Sequence, residues 1–288
     1  MNQLLIALRF YATGTFQLVV GDTFAVDNAT ICRTLHRVTA ALAELREIFL
    51  KFPSTDAECR ETMRAFYEKS KMPGVIGAID CTHIPIQSPG SDDAEIFRNR
   101  KGYFSINVQL ICDQNNYITD VVARWPGSVH DSTIFDNSHV RAKMEAGNLN
   151  GYLVGDGGYA CRSYLITPLL TPTTTAERAY NTSQIAARNC IERTNEILKR
   201  RFPCLKYGLR LKMENILPVI VATVVLHNIA IITQDIEPED DDLLESYISS
   251  RRRRGLPVAY DPVEAMPPVG LMPVGASGMR SSLINGVF

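Results

Sequence analysis

Residues 74–86 read GVIGAIDCTHIPI, a run that is apolar and β-branched almost throughout and carries Asp80 in its middle. This is the composition of a buried strand. A buried carboxylate without a partner costs several kcal/mol, on the order of the whole stability of a domain. Any fold open to this chain must therefore set a neutralising group, an ion-pair partner or a cation beside Asp80.

The segments that follow narrow the choice. FSINVQLIC (104–112), the turn DQNN (113–116) and YITDVVARW (117–125) predict a hairpin. PGSVHDS (126–132) reads as a loop, and FDNSHVRAKMEAG (135–147) as a helix. YLVGDGGY (152–159) predicts a fourth short strand ending in a glycine turn, and AARNCIERTNEILKRRF (186–202) a helix after it. This order outlines an α/β fold, a ribonuclease-H-like mixed sheet flanked by helices. In that arrangement the fourth strand runs parallel to the first and sets Asp156 beside Asp80. Gly155, Gly157 and Gly158 are expected to let the chain turn sharply there. Glu192, with 35 residues between it and Asp156, is the candidate for a third carboxylate, and Glu196 one turn on is its rival.

Three carboxylates at one point repel each other. Mg²⁺ or Mn²⁺, hard cations that prefer oxygen ligands, would resolve that. Two such ions can bind the attacking and leaving oxygens of a phosphodiester. Each residue also has a plainer reading. Asp80 could pair with a buried arginine or accept backbone hydrogen bonds, Asp156 could be a turn former, and Glu192 an ordinary surface glutamate.

Residues 1–52 predict helices separated by a polar turn, with Asp27 or Asn28 capping the second. They fit either a helix-turn-helix that presents Thr30, Arg33, Thr34 and Arg37, or an ordinary helical hairpin. Thr55 and Glu58 form a capping box that opens a linker helix within 53–72, which KMPG stops. The main domain is expected over 73–232. Residues 233–288 hold an acidic run (235–245) and four arginines (251–254), and are expected to be mostly disordered. The arginine run reads as a nuclear-import signal, a nucleic-acid contact or a solvated patch.

The formal net charge of -1 gives no direct sign of a polyanion partner, although residues 1–234 lean to +3. Seven cysteines without a CxxC pair fit a reducing compartment. The N-terminal segment lacks a basic n-region, so a signal peptide is not expected. ILPVIVATVVLHNIAII (216–232) is short for a membrane span and holds Pro218, His227 and Asn228; it predicts a buried core helix. No membrane association is expected.

GVIGAIDCTHIPI, RNRKGYFSINVQLICD, WPGSVHDSTIF, LVGDGGY and IERTNEILKRRF resemble, in the same order, the successive blocks of the PIF/Harbinger DDE transposases. The resemblance is dense from Pro73 to Ile232 and weaker over FYATGTFQ and GDTFAVDNATICR. It implies a DNA nuclease with a catalytic triad of Asp80, Asp156 and Glu192 and a divalent metal cation. It further implies action on double-stranded DNA in the nucleus, with a Myb-like DNA-binding protein as partner and a homo-oligomer left open. Asp131, in the PGSVHDS block, is expected to cap the next helix or to serve as an auxiliary ligand, and His130 to orient a carboxylate or touch a phosphate. Arg98, Arg100 and Lys101, and on the last helix Lys199 and Arg200, are candidates to hold the DNA backbone, as are Arg33 and Arg37. Members of the family it resembles carry more helical sequence before the point where this chain begins, which fits either an incomplete DNA-binding region or a misassigned start.

Overall fold

Asp80 stands in the central strand. The computed structural model describes residues 2–14, 24, 26–90, 93–147, 149–238 and 277–287. Its sheet has the order β3-β2-β1-β4-β5: β1 (Val75–Pro85), β2 (Ser105–Cys112), β3 (Ile118–Pro126), β4 (Tyr152–Val154) and β5 (Leu165–Ile166). β1 pairs antiparallel with β2 and β2 with β3, while β4 lies parallel to β1 and β5 parallel to β4. This is the expected mixed α/β sheet flanked by helices. β5, two residues long, is too short to show a period of two in sequence.

Along β1, successive side chains leave opposite faces of the sheet. Ala78 and Ile84 join Val108 and Leu110 of β2 in a core shared with α7 (Thr175–Arg201) and α9 (Met213–Ile232). Ile79 joins Ile111, Phe135, Val140 and Tyr159 in a smaller core on the other face. That face is covered by α5 (Asp131–Asp136) and α6 (His139–Glu145). One helix was expected over residues 135–147. The chain breaks at Ser138, whose hydroxyl accepts from the Arg141 N–H and starts α6 afresh.

The N-terminal helices belong to the larger core. α1 (Asn2–Thr13) and α2 (Asn28–Glu44) contribute Ile6, Phe10, Tyr11, Ile31 and Leu35 to it. α2 packs on α9, and α1 on α8 (Pro203–Tyr207). Asp27 caps α2 by accepting from Thr30 N. Arg33 and Arg37 are exposed, but Thr34 is buried and leaves the face expected for it. The turn before α2 lies almost wholly outside the described residues. A single turn, α3 (Arg46–Phe49), leads to α4 (Asp56–Ser70), where both halves of the Thr55–Glu58 capping box form.

α9 is long and apolar enough to cross a bilayer by composition, yet it packs on α2, α3 and β3 in the core. Asn228 sits inside it and is matched by the backbone around it. Its Nδ2 donates to Phe49 O (2.7 Å) and Ile118 O (2.6 Å), and its Oδ1 accepts from Ile118 N (2.9 Å). Near the end of the tail, α10 (Ser277–Val287) is helical, with Met279, Leu283 and Ile284 packed on the core. These residues recur at helical spacing. The four arginines at 251–254 lie outside the described residues.

Candidate active site

The register fixes the first pair of carboxylates. Ala78 of β1 stands beside Val154, the last residue of β4, so Asp156, just past the end of β4, comes beside Asp80 in the middle of β1. In an open α/β sheet the carboxyl end of a parallel strand, here β4, is where ligands bind. Burial, then the charges of Asp156 and Asp131, push the Asp80 carboxyl up to about 7, with Arg188 opposing. Its Oδ2 accepts from Asn195 Nδ2 on α7 at 3.0 Å. Thus the side chain bonded to Asp80 is a neutral amide.

Asp156 is held by its own loop, where Gly158 N–H donates to its Oδ1 at 2.9 Å. Gly157 and Gly158 form the expected turn, closed by Tyr159 N–H donating to Asp156 O at 3.3 Å, and neither has positive φ. Gly158 is needed for closeness: a Cβ there would come 3.1 Å from Asp156 Oδ1. Gly155 likewise lies against Tyr159 and Ile79, at 2.9 and 3.2 Å from where its Cβ would be.

Asp131 lies across β1 from Asp80. It opens α5, but the N-cap position belongs to His130, so the expected cap is corrected. Asn107 Nδ2 donates to its Oδ1 at 2.8 Å. Burial raises its carboxyl; the Asn107 hydrogen bond opposes this and the Asp156 charge adds to it. Cys81, the next residue after Asp80, faces this side, with its thiol 3.3 Å from Tyr159 Oη. Asp156 therefore acts on both Asp80 and Asp131.

Glu192 is the member of the expected triad that stands apart. It is half exposed and pairs with Arg188 at 2.7 Å, one turn back on α7. Among the described residues no group of three His, Cys, Asp or Glu side chains is arranged to hold a metal ion as the side chains stand. Yet Arg188, Glu192, Asn195 and Lys199 share one face of α7, at spacings of four, three and four. Arg188 acts on Asp80, Asn195 bonds it, and Lys199 ties to β1 two residues on, so Glu192 occupies the same face between groups that reach the site. Glu196 is exposed.

The expected basic contacts divide. Arg100 donates to His130 Nδ1, and both line a cavity of about 410 Å³ that also holds Asp131 and Asp156. Lys101 is exposed. Arg98 is engaged in its own loop, with Glu95 at 2.7 Å, Gly102 O at 2.7 Å and the Phe104 ring at 4.3 Å. Lys199 is corrected outright: its Nζ donates to Thr82 Oγ1 (2.6 Å) and His83 O (3.1 Å), and burial pulls it down to about 8. It ties α7 to β1 and is half-buried. Arg200, beside it, is half-buried.

Sequence reasoning missed Asn195, Arg188 and Asn107. Counting helical spacing outward from Glu192 would have found the first two. For Asn107, the signal is an amide in a strand buried along its whole length, a feature it shares with Gln109.

Residues 79–228 match the model of the DDE superfamily endonucleases. The protein named "Putative nuclease HARBI1" from Homo sapiens is 37% identical over 234 residues, covering 80% of this chain and 67% of its own. The chain belongs to the DDE endonuclease superfamily and, within it, to the Harbinger transposase-derived nucleases. The Mus musculus protein of the same name is 38% identical over the same share of both chains. "Protein ALP1-like" from Arabidopsis thaliana is 27% identical over 275 residues, covering 90% of this chain and 67% of its own. No solved structure matches. The mixed five-stranded sheet agrees with the ribonuclease-H-like fold of DDE endonucleases.

Proposed function

We propose that this chain is a divalent-metal-dependent DNA endonuclease whose site is built on Asp80, Asp156 and Glu192. The observation that carries this reading is the placement of Asp156, at the end of β4, beside Asp80 in the middle of β1, with a neutral amide as the bonded side-chain partner of Asp80. The donor set suits Mg²⁺ or Mn²⁺: it is all oxygen, it carries excess negative charge, and Asp80 resists ionisation where it stands. Such cations, when bound, supply the charge that activates water and stabilises the leaving 3′ oxygen.

The rest falls to the chain's own groups. Asp80 and Asp156 hold the cation. Glu192 completes the set by exchanging Arg188 for it, which leaves Arg188 for a phosphate. Arg100, Lys101 and His130, at or beside the cavity holding Asp156, receive the backbone of double-stranded DNA; Arg33 and Arg37, exposed on α2, extend that contact. Asp131, held by Asn107 on the far face of β1, acts as an electrostatic neighbour of Asp156. A Myb-like partner, a nuclear location and self-association belong to the same reading, carried by the family alone.

The Arg188–Glu192 pair favours a second reading, a DNA-binding or scaffolding protein with an idle site. Nicking of supercoiled duplex DNA in Mg²⁺ or Mn²⁺ separates the two. The nuclease cuts, and Asp156→Asn loses more than about a thousandfold in rate, as loss of an essential electrostatic group costs. Equal cutting by both proteins, or none by the wild type alongside salt-dependent DNA affinity, contradicts the nuclease reading.

A further inference from the structure

Asn195 combines three features that a simple helix–strand tie does not need. Its side chain is 9% exposed, its Nδ2 donates to Asp80 Oδ2 at 3.0 Å, and its Oδ1 is buried with no hydrogen-bond partner among the described residues. A buried amide oxygen left without a donor costs about 1–3 kcal/mol. The tie itself is already made one turn further along α7, where Lys199 bonds Thr82 and His83 O. Across β1, Asn107 repeats the arrangement. It is 1% exposed, its Nδ2 donates to Asp131 Oδ1 (2.8 Å) and Val129 O (2.9 Å), and its Oδ1 is also buried without a partner.

The choice of an amide has a physical reason. A lysine or arginine bonded at this position would neutralise Asp80 and compete with any cation. A leucine would leave Asp80 Oδ2 without this donor. An amide does neither: it fixes one carboxylate oxygen with a neutral donor and leaves the other for a ligand. Its unpartnered Oδ1 is an acceptor beside that carboxylate, and a Mg²⁺ or Mn²⁺ ion that keeps part of its water shell carries matching donors.

We propose that Asn195 is a positioning residue for the cation site, orienting Asp80 through Nδ2 and receiving the hydrated cation's donors at Oδ1. The proposal rests on the nuclease reading above, and it concerns binding rather than turnover.

The test is the Mn²⁺ dissociation constant of the full chain, measured by calorimetry for wild type, Asn195→Ala, Asn195→Asp and Asp156→Asn. Loss of such a supporting hydrogen bond weakens metal binding about 10- to 100-fold. Asn195→Ala is therefore expected to bind Mn²⁺ at least about tenfold more weakly, with an unchanged circular-dichroism spectrum. Asn195→Asp places a second carboxylate against Asp80; its Mn²⁺-free form is expected to melt below wild type, and saturating Mn²⁺ to raise its melting temperature by more than it raises the wild type's. Asn195→Ala affinity within about twofold of wild type, when Asp156→Asn has lost binding, overturns the proposal and leaves the nuclease reading standing. Full binding by Asp156→Asn overturns both. Should Asn195→Ala not fold, a Mn²⁺ response in Asn195→Asp no larger than in wild type overturns the proposal.

Discussion

Two places in this protein bury polar side chains among apolar ones, and they are handled in opposite ways. In α9, Asn228 exchanges three hydrogen bonds with the backbone of Phe49 and Ile118. His227 beside it meets Asn116 O at 2.8 Å. The Asn228 amide is matched at both its nitrogen and its oxygen, and the result is a clamp between α9, α3 and β3. In the middle of β1, burial and two neighbouring carboxylates act against the Asp80 charge, and its bonded side-chain partner is an uncharged amide. The first arrangement serves the fold. The second keeps a carboxylate at a cost to the fold, which is the mark of a site that awaits a ligand.

The contrast can be broken most forcefully at Asn228. Asn228→Ala is expected to destabilise the protein by about 3–5 kcal/mol, since three backbone groups lose a buried partner. Urea unfolding reads this directly. A loss under about 1 kcal/mol would mean that water replaces the amide and that the clamp is not structural.

Next in size is an acid sensitivity. Burial pulls His227 down to about 4 from an ordinary value near 6.5. The unfolded chain takes up the proton first, so this residue's contribution is intact above pH 6.5 and is lost as pH falls towards 4, by about 3 kcal/mol at most. His83, also pulled down to about 4, works in the same window. Asp120, raised to about 6 by burial, acts in the opposite sense, losing stability as pH rises through 6. Unfolding at pH 7 and pH 4.5 is expected to show a pH effect that shrinks in His227→Gln. An undiminished effect would assign the acid loss to other groups.

The smallest effect sharpens the comparison from the other end. Asp80→Asn removes a buried charge from beside two carboxylates. It is expected to stabilise the metal-free protein by about 1 kcal/mol, a typical gain when a functional group that strains the fold is neutralised. A lower melting temperature would show that Asp80 is a structural group after all.

Much of this was legible in the sequence, and the rest was not for definite reasons. β1, the β2–β3 hairpin and the neighbourhood of Asp80 and Asp156 follow from alternating apolar runs and from the order of the strands. β5 is too short for a pattern. Ser138 reads as an ordinary helix residue until its hydroxyl is seen to restart the chain. Lys199 reads as exposed because lysines usually are; the acceptors of Thr82 and His83 engage its amine instead. Gly158 was legible as a residue that lets the chain turn and keeps bulk from the site; that the bulk would meet Asp156 itself appears only in the structure. Asn195 carries no charge and breaks no pattern, so nothing in the sequence marks it until the helix is laid on the strand.

The central claim is that Asp80 and Asp156 hold one cation between them. Crystals grown with Mn²⁺ test it most directly, through the metal's anomalous scattering. The account predicts a peak bridging the two carboxylates, with Glu192 turned away from Arg188 to join them. A crystal saturated with Mn²⁺ but empty between Asp80 and Asp156 would contradict it.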